Sequence, residues 1–444
     1  MHPSMKKPIA KKSIAVTVAP AQRIAGSLRL PGDKSISHRY AMLAAIAEGE
    51  SKFENFSTGA DCATTLACVR ALGCVVSREI GIDGAVVRVQ GRGLELGQPT
   101  APLDCGNSGS TMRMLSGILA GQSFGCELIG DDSLSRRPMG RVMAPIRLMG
   151  AQIESAAGER APLRIRGARP LKAIHYQLPV ASAQVKSCVL FAGLFADGET
   201  SVEEPLRTRD HSELALRAFG AEVSRQQRKI RIAGGQQLHA IQTGVPGDIS
   251  SAAYFLCAAA MLPESNLVID DLLLNPTRAQ LLDVFTSMGA QITVPQLEER
   301  HGELSATVQI TGGELRGAKI SGGLSAALID ELPVLAAIAP YTKHGIEIRD
   351  ARELRAKESD RIAAVAKNLR RMGAQVEESD DSLLVPGNQQ LHGAEIDSEG
   401  DHRIAMAFAI AALRAKGDTM IYGAEAASIS FPEFFEMLEA VAER

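Results

Sequence analysis

Basic residues gather where helices begin. In "PGDKSISHRYAMLAAIAEGES", residues 31–51, Lys34, His38 and Arg39 crowd the start of a small-residue apolar run that reads as a helix. Arg136 and Arg137 stand just before Pro138 in "SLSRRPMGRVMAPIRLMGA", where the proline predicts a first helical turn. Arg209 and His211 sit in "TRDHSELALRAFGA", and His402 and Arg403 open "DHRIAMAFAIAALRA". Lys357 and Arg361 are four apart in "LRAKESDRIAAVAKNLRRMGA", which predicts one shared helix face. An isolated helix disfavours a cation at its N-terminus by about 0.3–1 kcal/mol. A single such cluster reads as a solvated face or a weak ion pair. Five at equivalent places point instead to a bound anion, which helix N–H groups, macrodipole and side chains all attract together.

Two carboxylates lie among these cations. Asp330 precedes a proline-started helix in "LIDELPVL", a position that also fits an N-cap. Glu358 lies between Lys357 and Arg361, where capping or salt bridging is the plain alternative. A carboxylate among cations stays ionised and can move a proton if a substrate hydroxyl comes within reach. "DCGNSGSTMR", residues 104–113, is glycine-rich before a helix and can cradle an anion or form a plain tight turn. The chain has no G-x-x-x-x-G-K-[ST] phosphate loop, no dinucleotide spacing in that glycine run and no G-x-S-x-G elbow. No His–Cys–carboxylate spacing forms a metal set.

The elements that must carry these residues recur. Leu72-Gly73-Cys74, Met149-Gly150-Ala151, Phe219-Gly220-Ala221, Met288-Gly289-Ala290 and Met372-Gly373-Ala374 each close an amphipathic helical stretch, with Gly as the C-cap, and open a β-rich run. Alternating with them are six copies of a second phrase: a helix of small apolar residues, a turn, then a strand, as in "CVLFAGLFADGETSVEEP". Helices apolar on every side are buried ones. Six units imply two globular domains of three units each. The last unit ends in the helical "FPEFFEMLEAVAER", and the N-terminal strand "KSIAVTVAP" is expected to complete it by ring closure. Residues 33–246 then form an inserted domain, and 1–32 plus 247–444 a discontinuous one. The crossings fall near 31–33 and 245–248, both at Pro-Gly-Asp turns.

Composition agrees with a large buried core. The 444 residues are 45% hydrophobic and 22% charged, with net charge -3, which argues against nucleic-acid or membrane partners. The seven cysteines are scattered singly, as expected of reduced thiols in a cytoplasmic protein. The basic start, "MHPSMKKPIAKK", lacks an apolar run and reads as a disordered tail rather than a signal peptide. No stretch is apolar enough for a membrane span.

"LPGDKSISHR", "GNSGSTMR", "RRPMGR", "SAQVKS", "RDHSE", "LIDELP", "KESDR" and "DHRIAM" occur in one order over nearly the whole chain. In that order they resemble the 5-enolpyruvylshikimate-3-phosphate (EPSP) synthases, in a branch common among bacteria. The resemblance implies an α/β (α+β) fold: the two-domain inverted αβ barrel of enolpyruvyl transferases, built from six βαβαββ units. It implies transfer of the enolpyruvyl group of phosphoenolpyruvate to the 5-hydroxyl of shikimate 3-phosphate, by addition and elimination of phosphate, without metal or cofactor. The partners expected are these two small molecules, acting on a monomer. Two phosphates and two carboxylates then account for the cations.

Carried over motif by motif, the resemblance implies that Lys34, Ser35, Arg39, Ser182, Ala183, Gln184, Arg209, Asp330 and Lys357 bind shikimate 3-phosphate. It implies that Lys34, Gly109, Arg137, Gln184, Arg361 and Arg403 bind phosphoenolpyruvate. Asp330 resembles the base for the 5-hydroxyl. Glu358, with Lys34, resembles the acid that protonates the methylene carbon. His38 is expected to be structural. Two departures stand out: Ile429 precedes "FP" where some members carry a lysine, and Ala183 replaces a serine. Gly109 leaves room that a larger residue would take from phosphoenolpyruvate-sized inhibitors, so sensitivity to glyphosate is expected. The alternatives weighed are the related UDP-N-acetylglucosamine enolpyruvyl transferase and a non-catalytic anion-binding or RNA-end-processing relative. The first would not carry "DKSISHR" and "KESDR" in this form, and the low net charge argues against an RNA binder.

Overall fold

The computed structural model describes residues 14–81 and 84–444; the basic N-terminal tail lies outside them. Six apolar helices are almost wholly buried: Lys34–Ala45, Gly109–Ala120, Ala183–Gly193, Ile249–Met261, Leu332–Ile338 and His402–Ala412. Every residue of Ile249–Met261 and of His402–Ala412 is buried, as their small-residue sequences dictate. Small side chains let these helices approach closely. A Cβ on Gly117 would stand 2.1 Å from the Cys188 carbonyl oxygen of the neighbouring helix. The alternating helices end as the sequence predicts: Gly73, Gly150, Gly220, Gly289 and Gly373 all take φ of 90–99°.

One pairing pattern repeats at the level of the hydrogen-bond ladder. Gln242–Gly244 runs parallel to Glu50–Phe56, which pairs antiparallel with Gly84–Gln90, which pairs antiparallel with Val75–Gly81. The same parallel–antiparallel–antiparallel order recurs in the sheets centred on Gly125–Ile129, Glu199–Glu203, Asn266–Leu273 and Ile346–Ile348. In the last unit Ala15–Val18 pairs antiparallel with Thr419–Tyr422, the ring closure expected from the sequence. A second N-terminal strand, Arg23–Arg29, also joins the C-terminal part, parallel to Asn266–Leu273. The terminal helix Phe434–Val441 is followed by a two-residue strand, Ala442–Glu443, on Arg23–Ile24, where the sequence reading had none.

The two Pro-Gly-Asp turns lie side by side. Gly32 and Gly247 form an antiparallel bridge; the Asp33 N–H donates to the Pro246 carbonyl at 2.8 Å, and the Asp248 N–H to the Pro31 carbonyl at 3.0 Å. Each aspartate caps the helix that follows, Asp33 accepting from the Ile36 N–H and Asp248 from the Ser250 N–H. The chain thus crosses twice at one point, and two buried helices start there.

Two local expectations are corrected. Lys357 and Arg361 do not share a helix: Asp360 accepts from the Ala363 N–H and starts the helix at Arg361, while Lys357 is extended after the turn Arg352–Ala356. Pro138 likewise precedes its helix, which begins at Gly140, so Arg136 and Arg137 instead end the short helix Asp132–Ser135.

Candidate active site

The starts of the buried helices carry the motif residues, and ion pairs link them. Lys34, the first residue of its helix, holds Asp61 at 3.1 Å. Burial opposes its charge, but Asp61 and Glu358 outweigh that and hold the ammonium in its charged form. Ser35 lies beside it, its carbonyl accepting from Arg39 Nη1 at 2.8 Å. Arg39 is 3% exposed, with its Nε and Nη2 donating to Ser212 and Ser187, so three segments fix its guanidinium.

Ser182 caps the helix Ala183–Gly193 by accepting from the Val185 N–H. Gln184, one position into the helix after Ala183, accepts from Arg113 at 2.8 Å and donates to Ser110 at 3.0 Å. The glycine-rich turn therefore docks on this helix. Gly109 is its tightest point: a Cβ there would stand 3.0 Å from Arg113 Nη1 and 3.5 Å from Arg137 Nη1. Arg137 donates to the Asn107 carbonyl and side chain and to Ser133, while its neighbour Arg136 is exposed.

Asp330 gathers cations from both parts of the chain. Arg209 reaches its Oδ2 at 2.6 Å; Arg403 and Arg361 approach Oδ1 at 3.7 and 3.8 Å. Burial alone would raise the pKa of this carboxyl. Arg403, Arg209, Lys357 and Arg361 together outweigh burial and hold it well below the usual carboxylate range. The N-cap reading fails, because the helix begins at Leu332 and Asp330 caps nothing; its carbonyl instead accepts from Arg403 at 2.8 Å. Lys357 lies near it, its own pKa lowered by burial despite Asp330.

Glu358 bridges Arg361 at 2.5 Å and Arg137 at 3.5 Å. Burial again favours its neutral form, and Arg361, Arg137 and Lys34 override it, so it is ionised. Arg361 is 1% exposed and is anchored from behind by Asp401, at 2.8 Å, which also accepts from the Arg403 N–H. His402 is driven down to about 3 by burial, so it is neutral. His38 is buried and bonds Thr65 at 2.7 Å.

Nearly all the sequence-selected residues thus form one connected cluster, with Lys34, Gly109, Arg137, Gln184, Arg209, Asp330, Glu358, Arg361 and Arg403 at its centre. Sequence reasoning missed Asp61, Asn107, Arg113 and Asp401 as partners. Asn107 and Arg113 lay inside the quoted motif "GNSGSTMR" and Asp401 inside "DHRIAM"; Asp61 had no local signal. The arrangement combines four arginines and a lysine with two ionised carboxylates. It suits a substrate pair carrying several anionic groups plus a hydroxyl to be deprotonated.

The family model described as EPSP synthase (3-phosphoshikimate 1-carboxyvinyltransferase) matches residues 18–438. A 3-phosphoshikimate 1-carboxyvinyltransferase of Koribacter versatilis is 62% identical over 97% of this chain and 100% of its own. One of Solibacter usitatus is 55% identical over 96% of this chain and 99% of its own. Among solved structures, EPSP synthase of Acinetobacter baumannii superposes with a TM-score of 0.85 at 40% identity, over 96% of this chain and 98% of that one.

Proposed function

The chain belongs to the EPSP synthase family and carries the 3-phosphoshikimate 1-carboxyvinyltransferase activity of the shikimate pathway, and we propose that the cluster around Asp330 performs it. The observation that carries this assignment is Asp330 itself, with Arg209 on one oxygen and Arg361 and Arg403 beside the other.

In this reading the phosphate of shikimate 3-phosphate sits among Ser182, Ala183, Gln184 and Arg209, and the ring among Lys34, Ser35, Arg39, Asp330 and Lys357. Phosphoenolpyruvate sits among Lys34, Gly109, Arg137, Gln184, Arg361 and Arg403. Arginine forks match its carboxylate and phosphate. The substrates change the basicity of both carboxylates. A phosphate that takes Arg209 removes a cation from Asp330, whose burial then makes it a better base. Arg137 and Arg361, drawn to phosphoenolpyruvate, release Glu358 in the same way.

Asp330 accepts the 5-hydroxyl proton, and the oxygen bonds to the substituted carbon of phosphoenolpyruvate. The Lys34 ammonium, or Glu358 once it has taken up a proton from water as phosphoenolpyruvate draws Arg137 and Arg361 away, gives a proton to the methylene carbon, completing the tetrahedral adduct. Phosphate then leaves with the proton held by Asp330, and the group that protonated the methylene carbon takes one methyl proton back, which restores the double bond in the product. Residues 33–246 and residues 1–32 plus 247–444 act as the two domains, closing about the paired Pro-Gly-Asp turns and expelling water. The test measures phosphate release from phosphoenolpyruvate with each acceptor. Release with shikimate 3-phosphate and none with UDP-N-acetylglucosamine is expected; the reverse overturns the reading.

A further inference from the structure

Lys186 is a buried charge that no step of this mechanism uses. It lies in the helix Ala183–Gly193, is wholly inaccessible, and contacts Glu213 at 2.8 Å and Glu204 at 3.1 Å. Both glutamates are 1% exposed, and Arg225 completes the cluster at 2.8 Å from Glu204 and 2.9 Å from Glu213. Two basic and two acidic side chains therefore meet here, with Arg225 at the partly exposed edge. Replacing such a cluster with apolar groups is often neutral or stabilising, so stability alone does not explain a buried lysine here.

The partners of Lys186 show what the charge joins. Glu204 also accepts from the N–H and hydroxyl of Thr208, the residue before Arg209. Glu213 lies in the first turn of the helix His211–Ala218, where Ser212 takes the guanidinium of Arg39. Ser187, next to Lys186, takes the same guanidinium and meets Ser212 at 2.5 Å. One ammonium thus ties together the helix that begins at Ala183, the turn that presents Arg209 and the helix start that holds Arg39.

We propose that Lys186, through Glu204 and Glu213, is a positioning residue that sets the spacing of the shikimate 3-phosphate contacts made by Ser182, Ala183, Arg209 and Arg39. This rests on the assignment of those residues to shikimate 3-phosphate. Lys186→Met should raise KM for shikimate 3-phosphate about tenfold, while kcat and KM for phosphoenolpyruvate stay within about twofold. Lys186→Met combined with Glu213→Gln restores the charge balance. It should recover the melting temperature yet keep KM for shikimate 3-phosphate raised, because nothing then ties Glu204 to the helix. A KM that returns to wild type with the melting temperature overturns the proposal, as does a single variant in which both KM values and kcat move together. Where neither variant is recovered folded, Thr208→Val on the rim decides: a rise of about threefold supports the proposal and an unchanged KM overturns it. Arg209→Met separates the two levels of argument. If it leaves KM for shikimate 3-phosphate unchanged, the pocket assignment fails. If it raises that KM while Lys186→Met does not, only the role of Lys186 fails.

Discussion

Arg209 and Asp330 lie 121 residues apart in sequence and meet at 2.6 Å. Arg209 follows the strand Glu199–Glu203, while Asp330 precedes the helix Leu332–Ile338. Their pair joins two sets of sheets that share no strand. It also ties a proposed substrate ligand to the proposed base, so that binding and basicity are one event.

Arg209→Met should therefore act twice. Loss of a charge-assisted contact of about 1.5–3 kcal/mol should raise KM for shikimate 3-phosphate by about 10- to 100-fold. In the free enzyme, Asp330 loses a cation that depresses its pKa. The base is active when ionised, so the acid limb of kcat/KM should move to higher pH. A pH–rate profile whose acid limb stays in place would count against the coupling.

Asp330→Asn keeps the shape and removes the base. Turnover should fall by about 10²- to 10⁴-fold. Unchanged turnover in a steady-state assay would show that another group takes the hydroxyl proton.

Gly109→Ala places a methyl 3.0 Å from Arg113 and 3.5 Å from Arg137. The Arg113 guanidinium end must shift by a few tenths of an ångström, while the methyl comes into van der Waals contact with Arg137. KM for phosphoenolpyruvate should rise about tenfold, with KM for shikimate 3-phosphate little changed. Glyphosate should inhibit the parent protein and inhibit this variant less. Full activity of the parent at millimolar glyphosate would sink the prediction.

Acid should unfold the protein through its site carboxylates. Asp330, Glu358 and Asp401 are buried, which favours their neutral forms, but arginines hold all three more acidic than in an open chain. Their stabilisation is complete above the unfolded carboxylate range, about pH 4, and is lost as pH falls through the depressed folded values. Urea midpoints should drop over that window. Asp401→Asn, which removes one of the two close carboxylates of buried Arg361 and leaves Glu358, should cost about 1.5–3 kcal/mol; a midpoint equal to wild type would refute it.

Contacts between the two proposed domains predict closure. Arg209–Asp330, Arg137–Glu358, Thr58–Glu433 and the buried His211–Glu303 pair at 2.6 Å all join residues 33–246 to residues beyond 247. Small-angle scattering should show compaction when shikimate 3-phosphate and glyphosate are added together. An unchanged radius of gyration would argue against domain closure.

The sequence by itself determined the repeat, the six buried helices and the residues at their starts. Those signals are local: apolar runs of small residues, a glycine after each amphipathic helix, and an aspartate or serine that caps within three positions. Tertiary structure decided the pairings. It turned Arg137 inward and Arg136 outward, ended the shared helix face of Lys357 and Arg361, and gave Lys34 to Asp61. It also set a second N-terminal strand between Asn266–Leu273 and the C-terminal Ala442–Glu443. An ion pair between distant segments depends on where two independently formed elements come to rest, and no periodicity encodes that distance. Helix ends obey nearest-neighbour rules, whereas the charge on Asp330 obeys the positions of Arg209, Arg361 and Arg403, which only the packed chain brings together.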